Sequence, residues 1–173
     1  MKKLFIILLI LVGLNIYSQT SYKVYIPMRT YHWDRSELSI KDYHNTEGGN
    51  VGAILIRHTE KNGMYFQQHL GIVKNSYFNT SVIAQVGFGF VLKEFNIGTS
   101  VGIASGYHKV YEITDTYIPE AQKMPGVLKN NGLLPTTMIT ISYNKYKIKP
   151  TINISPTFIN GGIIFNIKNN YLK

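Results

Sequence analysis

The segment YKIKPTINIS, residues 146–155, alternates between apolar and polar side chains at successive positions. Its apolar face would carry Tyr146, Ile148, Pro150, Ile152 and Ile154, and its polar face Lys147, Lys149, Thr151, Asn153 and Ser155. Successive side chains of a β-strand point to opposite faces, so the pattern predicts a two-faced strand. Residues 81–90 and 96–104 repeat the alternation. No helical periodicity of useful length follows residue 19, and we therefore predict an all-β protein.

Eight strands of this kind can be placed along the chain. We predict them at residues 22–33, 49–59, 64–74, 80–92, 96–107, 134–143, 146–155 and 161–168. Tight connections at 60–63, 93–95 and 144–145 alternate with longer ones at 34–48, 75–79, 108–133 and 156–160. This alternation is typical of outer-membrane barrels, which have short periplasmic turns, long outer loops and an even number of strands. We predict an eight-stranded antiparallel up-and-down transmembrane β-barrel.

The first residues of the chain predict export. Lys2 and Lys3 precede a nearly continuous apolar segment at residues 4–16, and residues 17–19 offer a small-residue cleavage point. An apolar run of about 13 residues favours a secretory signal peptide, since a spanning helix needs roughly 20. An uncleaved N-terminal anchor is the alternative. We assign residues 1–19 to a signal peptide and residues 20–173 to one outer-membrane barrel domain.

Composition narrows the function classes. The chain contains no cysteine, which excludes a disulfide framework and thiolate chemistry. Its net charge is +9, but the basic residues are scattered, so we expect a membrane surface and no nucleic acid as partner. The five histidines match no metal-binding spacing, and we predict neither a metal nor a cofactor.

The alternation alone leaves two kinds of barrel open. In a membrane barrel the apolar face contacts lipid and the polar face lines the lumen, whereas a soluble barrel has the opposite arrangement. Export and aromatic richness favour the membrane barrel. A soluble exported lipid-binding barrel of the lipocalin type is the alternative.

Several short motifs occur in a fixed order along the chain. The first is residues 25–32, with the sequence YIPMRTYH, followed by residues 74–77, KNSY, and residues 83–87, IAQVG. Weaker matches are Tyr43, Asn45, Glu47, Gly48 and Gly49, then Leu133-Leu134-Pro135 and Ser155-Pro156. In this order they resemble the PagP-type lipid A palmitoyltransferases over residues 22–168. KNSY resembles the aspartate-serine loop of that family, and IAQVG resembles its next strand.

The resemblance implies a monomeric outer-membrane enzyme that uses no cofactor. Such an enzyme transfers a palmitoyl chain from a phospholipid donor to a hydroxyl group of lipid A, the acceptor. The matching positions imply that His32 and Ser76 are catalytic, with Asn75 as a polar partner. Asn75 stands where the family has aspartate, and an amide cannot stabilise an imidazolium by charge. A catalytically inactive lipid-binding or structural barrel of the same fold is therefore the alternative.

The resemblance also implies a set of substrate-binding residues. Gly87 would form the floor of an acyl-chain pocket, because the absence of a side chain leaves depth for a hydrocarbon. Tyr25 belongs to the first-strand motif. Pro27, Pro135 and Pro156 cannot donate a ladder hydrogen bond, and such gaps in the family admit lipid from the side. We predict that all five residues contact the substrate.

Overall fold

A computed structural model describes residues 19–32, 52–74, 79–107, 128, 130–156 and 158–167. These residues form eight antiparallel strands in one closed sheet, in which each strand pairs with its neighbours in sequence and β8 pairs with β1. The strands are β1 (Gln19–His32), β2 (Gly52–Lys61), β3 (Met64–Lys74), β4 (Thr80–Leu92), β5 (Phe95–Ala104), β6 (Leu134–Tyr143), β7 (Ile148–Ile154) and β8 (Phe158–Ile167). The prediction of an all-β, eight-stranded up-and-down barrel is confirmed.

The boundaries of β3, β4 and β6 are those predicted. β2 and β5 end at Lys61 and Ala104 rather than at residues 59 and 107, β7 is shorter than predicted at both ends, and β1 and β8 each begin three residues early. β1 begins at Gln19, three residues earlier than predicted, and the rest of the predicted signal peptide lies outside the described residues. β8 begins at Phe158 because the Ser155 N–H donates to the Phe158 carbonyl at 2.8 Å, which closes a tight turn after β7. Among the described residues, no helix is long and apolar enough to cross a membrane.

The two ends of the barrel differ in their connections. One end, here called the turn end, carries the short turns at residues 62–63, 93–94 and 144–147. Asn62 and Gly63 have φ angles of 53° and 75°, the left-handed pair that a two-residue hairpin turn of type I′ requires. The opposite end, the loop end, is where β1 and β3 end and where β4 begins.

Side chains alternate around the barrel. The outer wall is mainly apolar, and the lumen combines polar side chains with a buried apolar cluster of Tyr25, Ile54, Ile56, Val73 and Ile164. In β4, Ser81 and Gln85 are buried in the lumen, whereas Val86 and Phe88 are exposed on the outer wall, Phe88 by 63%. The same holds in β5 and β7, as their alternation predicts. A soluble protein places apolar side chains inside, so this distribution is the one expected of a barrel surrounded by lipid.

Tyrosines fill the lumen over glycines on neighbouring strands. A Cβ atom added at Gly89 would lie 2.5 Å from the Tyr65 hydroxyl, and one added at Gly98 would lie 2.4 Å from it. Gly162 makes the same kind of space for Tyr25. Because the ring occupies the volume that each glycine leaves, the lumen of this small barrel is packed by matched large and small residues.

This packing predicts that one glycine substitution in the wall lowers the stability of the barrel and that another leaves it unchanged. Gly98→Ala places a methyl group against both Tyr65 and the Phe88 carbonyl, and we expect a loss of about 1–3 kcal/mol in unfolding free energy from overpacking. Gly161→Ala is the matched control, because nothing lies within 4 Å of its added Cβ. Urea unfolding of the refolded barrel measures both. Equal losses would contradict the packing described.

Candidate functional site

The strand ends place the predicted catalytic residues at one end of the barrel. β1 ends at His32, which pairs with Phe158, and β3 ends at Lys74, which pairs with Thr80. Both ends lie at the loop end, as the strand order predicts. Asn75 and Ser76 lie outside the described residues, and only the backbone of His32 is described. Their convergence into a catalytic site stays a prediction.

The β1–β2 ladder stops short of the loop end. It extends from Gln19–Glu60 to Tyr25–Ile54, and the same register would bring Ile26 opposite Ala53 and then Pro27 opposite Gly52. Proline has no N–H to donate, which accounts for the end of the ladder at this point. β1 continues to His32 against β8 alone among the described residues. Of the described residues, Ile26 and Pro27 of β1 form no ladder pair with Ala53 and Gly52 of β2, and we call this interruption the β1–β2 seam.

A second interruption lies between β6 and β7. Their ladder contains four residue pairs, from Ile139–Ile154 to Ser142–Thr151. The same register would bring Pro156 opposite Thr137 on one side and Pro150 opposite Tyr143 on the other, so a proline follows the ladder at each end. Pro135, near the start of β6, pairs with β5 and is exposed. Toward the loop end, residues 134–138 pair with β5 but with no described residue of β7. This is the β6–β7 seam.

A β-bulge in β1 changes which side chains face the lumen. The register with β8 shifts between Pro27 and Arg29, so Met28 is the extra residue. Tyr25 and Pro27 are buried before the bulge, and Thr30 is buried after it. A bulge adds one residue to its strand and reverses the alternation beyond it. The sequence signal was the loss of strict alternation at residues 27–30, which the strand prediction did not use.

Tyr25 supports this bulge from within the lumen. Its hydroxyl donates to Asn160 Oδ1, and Asn160 Nδ2 donates to Thr30 Oγ1 at 2.7 Å and to the Arg29 carbonyl at 3.2 Å. Tyr25, predicted from the family resemblance to contact substrate, therefore holds the strand segment that leads to His32. Whether it also contacts substrate stays a prediction.

Gly87 faces the lumen, as its strand phase predicts, and is buried. It lies between Gln67 of β3 and Ser100 of β5. A Cβ atom added there would lie 2.7 Å from the Thr99 carbonyl oxygen and 3.0 Å from the Ser100 Cβ. No larger residue fits this position unless β5 moves. Its role as the floor of an acyl pocket stays a prediction.

A small cavity of about 20 Å³ lies in the middle of the described lumen. Its apolar lining is Tyr25, Ile54, Ile56, Met138 and Ile164, and its polar lining is Gln67, His69, Gln85, Thr140, Thr151 and Asn153. This volume has room for about one water molecule. Gly87 is not part of the lining.

A chain of side-chain hydrogen bonds follows the lumen from β6 to the turn end. In order, it contains Thr136, Gln85, His69, Gln67, His58 and Glu60, with successive distances of 2.8, 3.3, 3.1, 2.9 and 3.4 Å. Gln67 is central because its amide contacts both imidazoles. The sequence motifs indicate no role for His58 or His69. The usable signal was that His58 and Glu60 of β2, and Gln67 and His69 of β3, are polar residues two positions apart on one face of their strand.

These contacts indicate what the histidines can do. Both ring nitrogens of His58 and of His69 contact neighbouring amide or carboxylate groups. Buried polar groups with satisfied hydrogen bonds fix the packing of a core. In the described ranges, no three histidine, aspartate or glutamate side chains are placed to hold a metal ion. We interpret the two histidines as structural.

Removing the central amide tests the chain of hydrogen bonds. In Gln67→Leu, a buried nitrogen of each histidine loses its partner, and we expect a loss of roughly 2–5 kcal/mol in unfolding free energy. Gln68→Leu is the control, because Gln68 lies on the outer wall and accepts only a long bond from Arg57, at 3.4 Å. We expect the control to change stability by less than about 1 kcal/mol. Urea midpoints in detergent distinguish the two, and similar losses would refute the role of Gln67.

No protein-family model matches the chain, and no curated protein matches it significantly.

Proposed function

We propose that this protein is an outer-membrane acyltransferase that moves a palmitoyl or similar chain from a phospholipid to lipid A. The observation that carries the proposal is the position of the two seams. Both interrupt the wall toward the loop end, where β1 and β3 also bring His32 and the segment that begins with Asn75. A lipid substrate that enters through the wall would therefore reach the end of the barrel that holds the candidate residues.

The outer wall supports a membrane location. The exposed apolar side chains include Leu55, Leu70, Ile72, Val82, Val86, Phe88, Val101, Ile103, Ile139, Ile148 and Ile152. All strands except β7 contain 10 to 14 residues, enough to cross a bilayer, which takes roughly 9–11 tilted residues. So extensive an apolar surface around a polar lumen favours lipid rather than water as the surroundings.

Aromatic residues at the turn end support an orientation in which this end lies at the periplasmic interface of the membrane. The rings of Phe95 and Tyr143 are 5.0 Å apart, and those of Tyr143 and Tyr146 are 5.7 Å apart. The Tyr143 hydroxyl donates to Glu94 at 2.6 Å, and Glu94 also pairs with Lys145 at 3.7 Å. Aromatic girdles with polar tips mark the membrane interface, and short turns face the periplasm. The loop end would then face outward, toward lipid A.

The proposed reaction exchanges one ester for another. His32 would take the proton from the acceptor hydroxyl of lipid A, whose oxygen attacks the ester carbonyl of the donor. Ser76 and Asn75 would donate hydrogen bonds to the oxyanion that develops. When the tetrahedral intermediate collapses, the bond to the donor glycerol breaks and that oxygen takes the proton from His32. The products are acylated lipid A and a lysophospholipid.

A specific observation favours a second candidate, a catalytically inactive barrel of the same fold. The described lumen is packed, and its cavity of about 20 Å³ is too small for a hydrocarbon chain. Asn75 also lacks the charge that would stabilise a protonated His32. Such a barrel would bind lipid through its outer wall alone.

Two arginine substitutions in β4 test the membrane location. Val86→Arg places a charge midway along the outer wall, and we expect the folded barrel in a bilayer to lose about 2–4 kcal/mol. Thr80→Arg places the same charge on the same face at the loop end, where the expected cost is about 0–1 kcal/mol. Refolding into vesicles, followed by heat-modifiable gel mobility, measures both. Equal costs, or folding without any lipid or detergent, would favour the soluble alternative.

The acyltransferase proposal predicts an added acyl chain on lipid A in cells that express the protein. We expect His32→Asn to lower the activity by about 10²–10⁴-fold and Ser76→Ala by about 10²-fold or more. Asn75→Asp should raise it, because a carboxylate stabilises the imidazolium. His108→Asn removes a histidine that plays no part in the proposal and should leave the activity unchanged. Mass spectrometry of lipid A measures all four variants.

Two results would decide between the candidates. If the inserted wild-type barrel leaves the acyl count of lipid A unchanged, the acyltransferase proposal is refuted. If Asn75→Asp then creates activity where the wild type has none, the inactive barrel is the correct description.

A further inference from the structure

Two lysines face the lumen at the turn end, far from the candidate acyltransferase residues. Lys23 of β1 is only 5% exposed, and Lys149 of β7 is partly buried. Lysine is rarely buried without a partner, because desolvating an ammonium ion costs free energy. Within the part of the chain that the structure describes, neither ammonium group makes a hydrogen bond or an ion pair.

The register brings the two lysines together across β8. Lys23 lies opposite Asn166 and Lys149 opposite Ile164, so their strands flank β8 with an offset of two residues. This places the backbones about 10 Å apart across the sheet and about 7 Å apart along it. Lysine side chains are long enough to approach each other over that separation. The charge of Lys149 acts on Lys23, and the charge of Glu60 acts on both lysines.

The charges around this point do not balance. The carboxylate of Glu60 interacts electrostatically with both lysines. It already contacts His58 Nε2 at 3.4 Å, and its side chain is 41% exposed. Among the residues that the structure describes, two ammonium groups against one carboxylate leave one positive charge in excess. Ile56, opposite Lys23, and Ile164, opposite Lys149, are buried apolar neighbours that keep the surroundings poorly solvated. An excess charge in such surroundings favours the binding of an anion.

We propose that the turn end of the lumen binds a phosphate group between the ammonium groups of Lys23 and Lys149. An ammonium group offers three donors and no acceptor, and lysine commonly binds phosphate as a point charge. A tetrahedral oxyanion presents acceptors to both lysines at once and carries the compensating negative charge that a backbone carbonyl lacks. The phosphate group could belong to a free ion or to the headgroup of a phospholipid that enters from the turn end. The site is independent of acyl transfer, which the proposed function places at the loop end.

The experiment uses the full barrel, refolded in an uncharged detergent without phospholipid. Its urea midpoint is measured against inorganic phosphate, with sodium chloride added to hold the ionic strength constant. A ligand that binds the folded state raises the midpoint by mass action. The same series is repeated with a short-chain phosphatidylglycerol. Lys23→Met and Lys149→Met remove one charge each at nearly constant length, and Lys74→Met, exposed at the loop end, is the control.

We expect at least one of the two ligands to stabilise the wild type and the Lys74→Met control equally. Lys23→Met and Lys149→Met should each raise the Kd for that ligand by about tenfold or more. A response to inorganic phosphate identifies the free ion as a ligand, and a response to phosphatidylglycerol alone identifies the headgroup. If neither ligand stabilises the wild type, or if all three variants respond like the wild type, the proposal is refuted. For any variant whose own stability has changed, broadening of the ³¹P NMR line of the ligand compares its binding with binding to the wild type.

Discussion

Backbone pairing around a closed ring is the constraint on which the rest of this structure depends. A closed sheet has no edge strand, so most N–H and C=O groups of the described strands pair with a neighbouring strand, except along the two seams. Proline removes one donor wherever it occurs. The positions of Pro27, Pro150 and Pro156 therefore account for where the ladders stop, and the candidate lipid entrances follow from these positions.

Much of the fold could be predicted, because period-two alternation is a local property of the chain. β4 shows why, since Ser81 and Gln85 fall on one face and the exposed valines and phenylalanines on the other. The predicted turn at residues 60–63 is present for an equally local reason, the left-handed Asn62–Gly63 pair. The start of β8 and the bulge at Met28 escaped prediction, because both depend on how two strands align.

The candidate site, like the fold, has some features that could be predicted from the sequence and others that could not. Strand ends and strand phase placed His32 at the loop end and Gly87 on the lumen wall. The contacts of Gln67 with two histidines, and the approach of Lys23 to Lys149, depend on the register of strands that are distant in sequence. A single sequence contains no signal for that register. Side-chain positions that depend on alternation could therefore be predicted from the sequence. Contacts that depend on the alignment of distant strands could not.

The packed lumen has a consequence for how this protein would meet its substrates. Tyr65 lies across Gly89 and Gly98, and a continuous line of polar side chains occupies the space beyond it. Such a barrel would neither conduct ions nor let nutrients diffuse along its axis. Under the proposed function, a lipid substrate would arrive by diffusion in the plane of the bilayer. The rate of the proposed acyl transfer would then depend on the fluidity of the leaflet and the surface density of the donor, rather than on any concentration in the surrounding water.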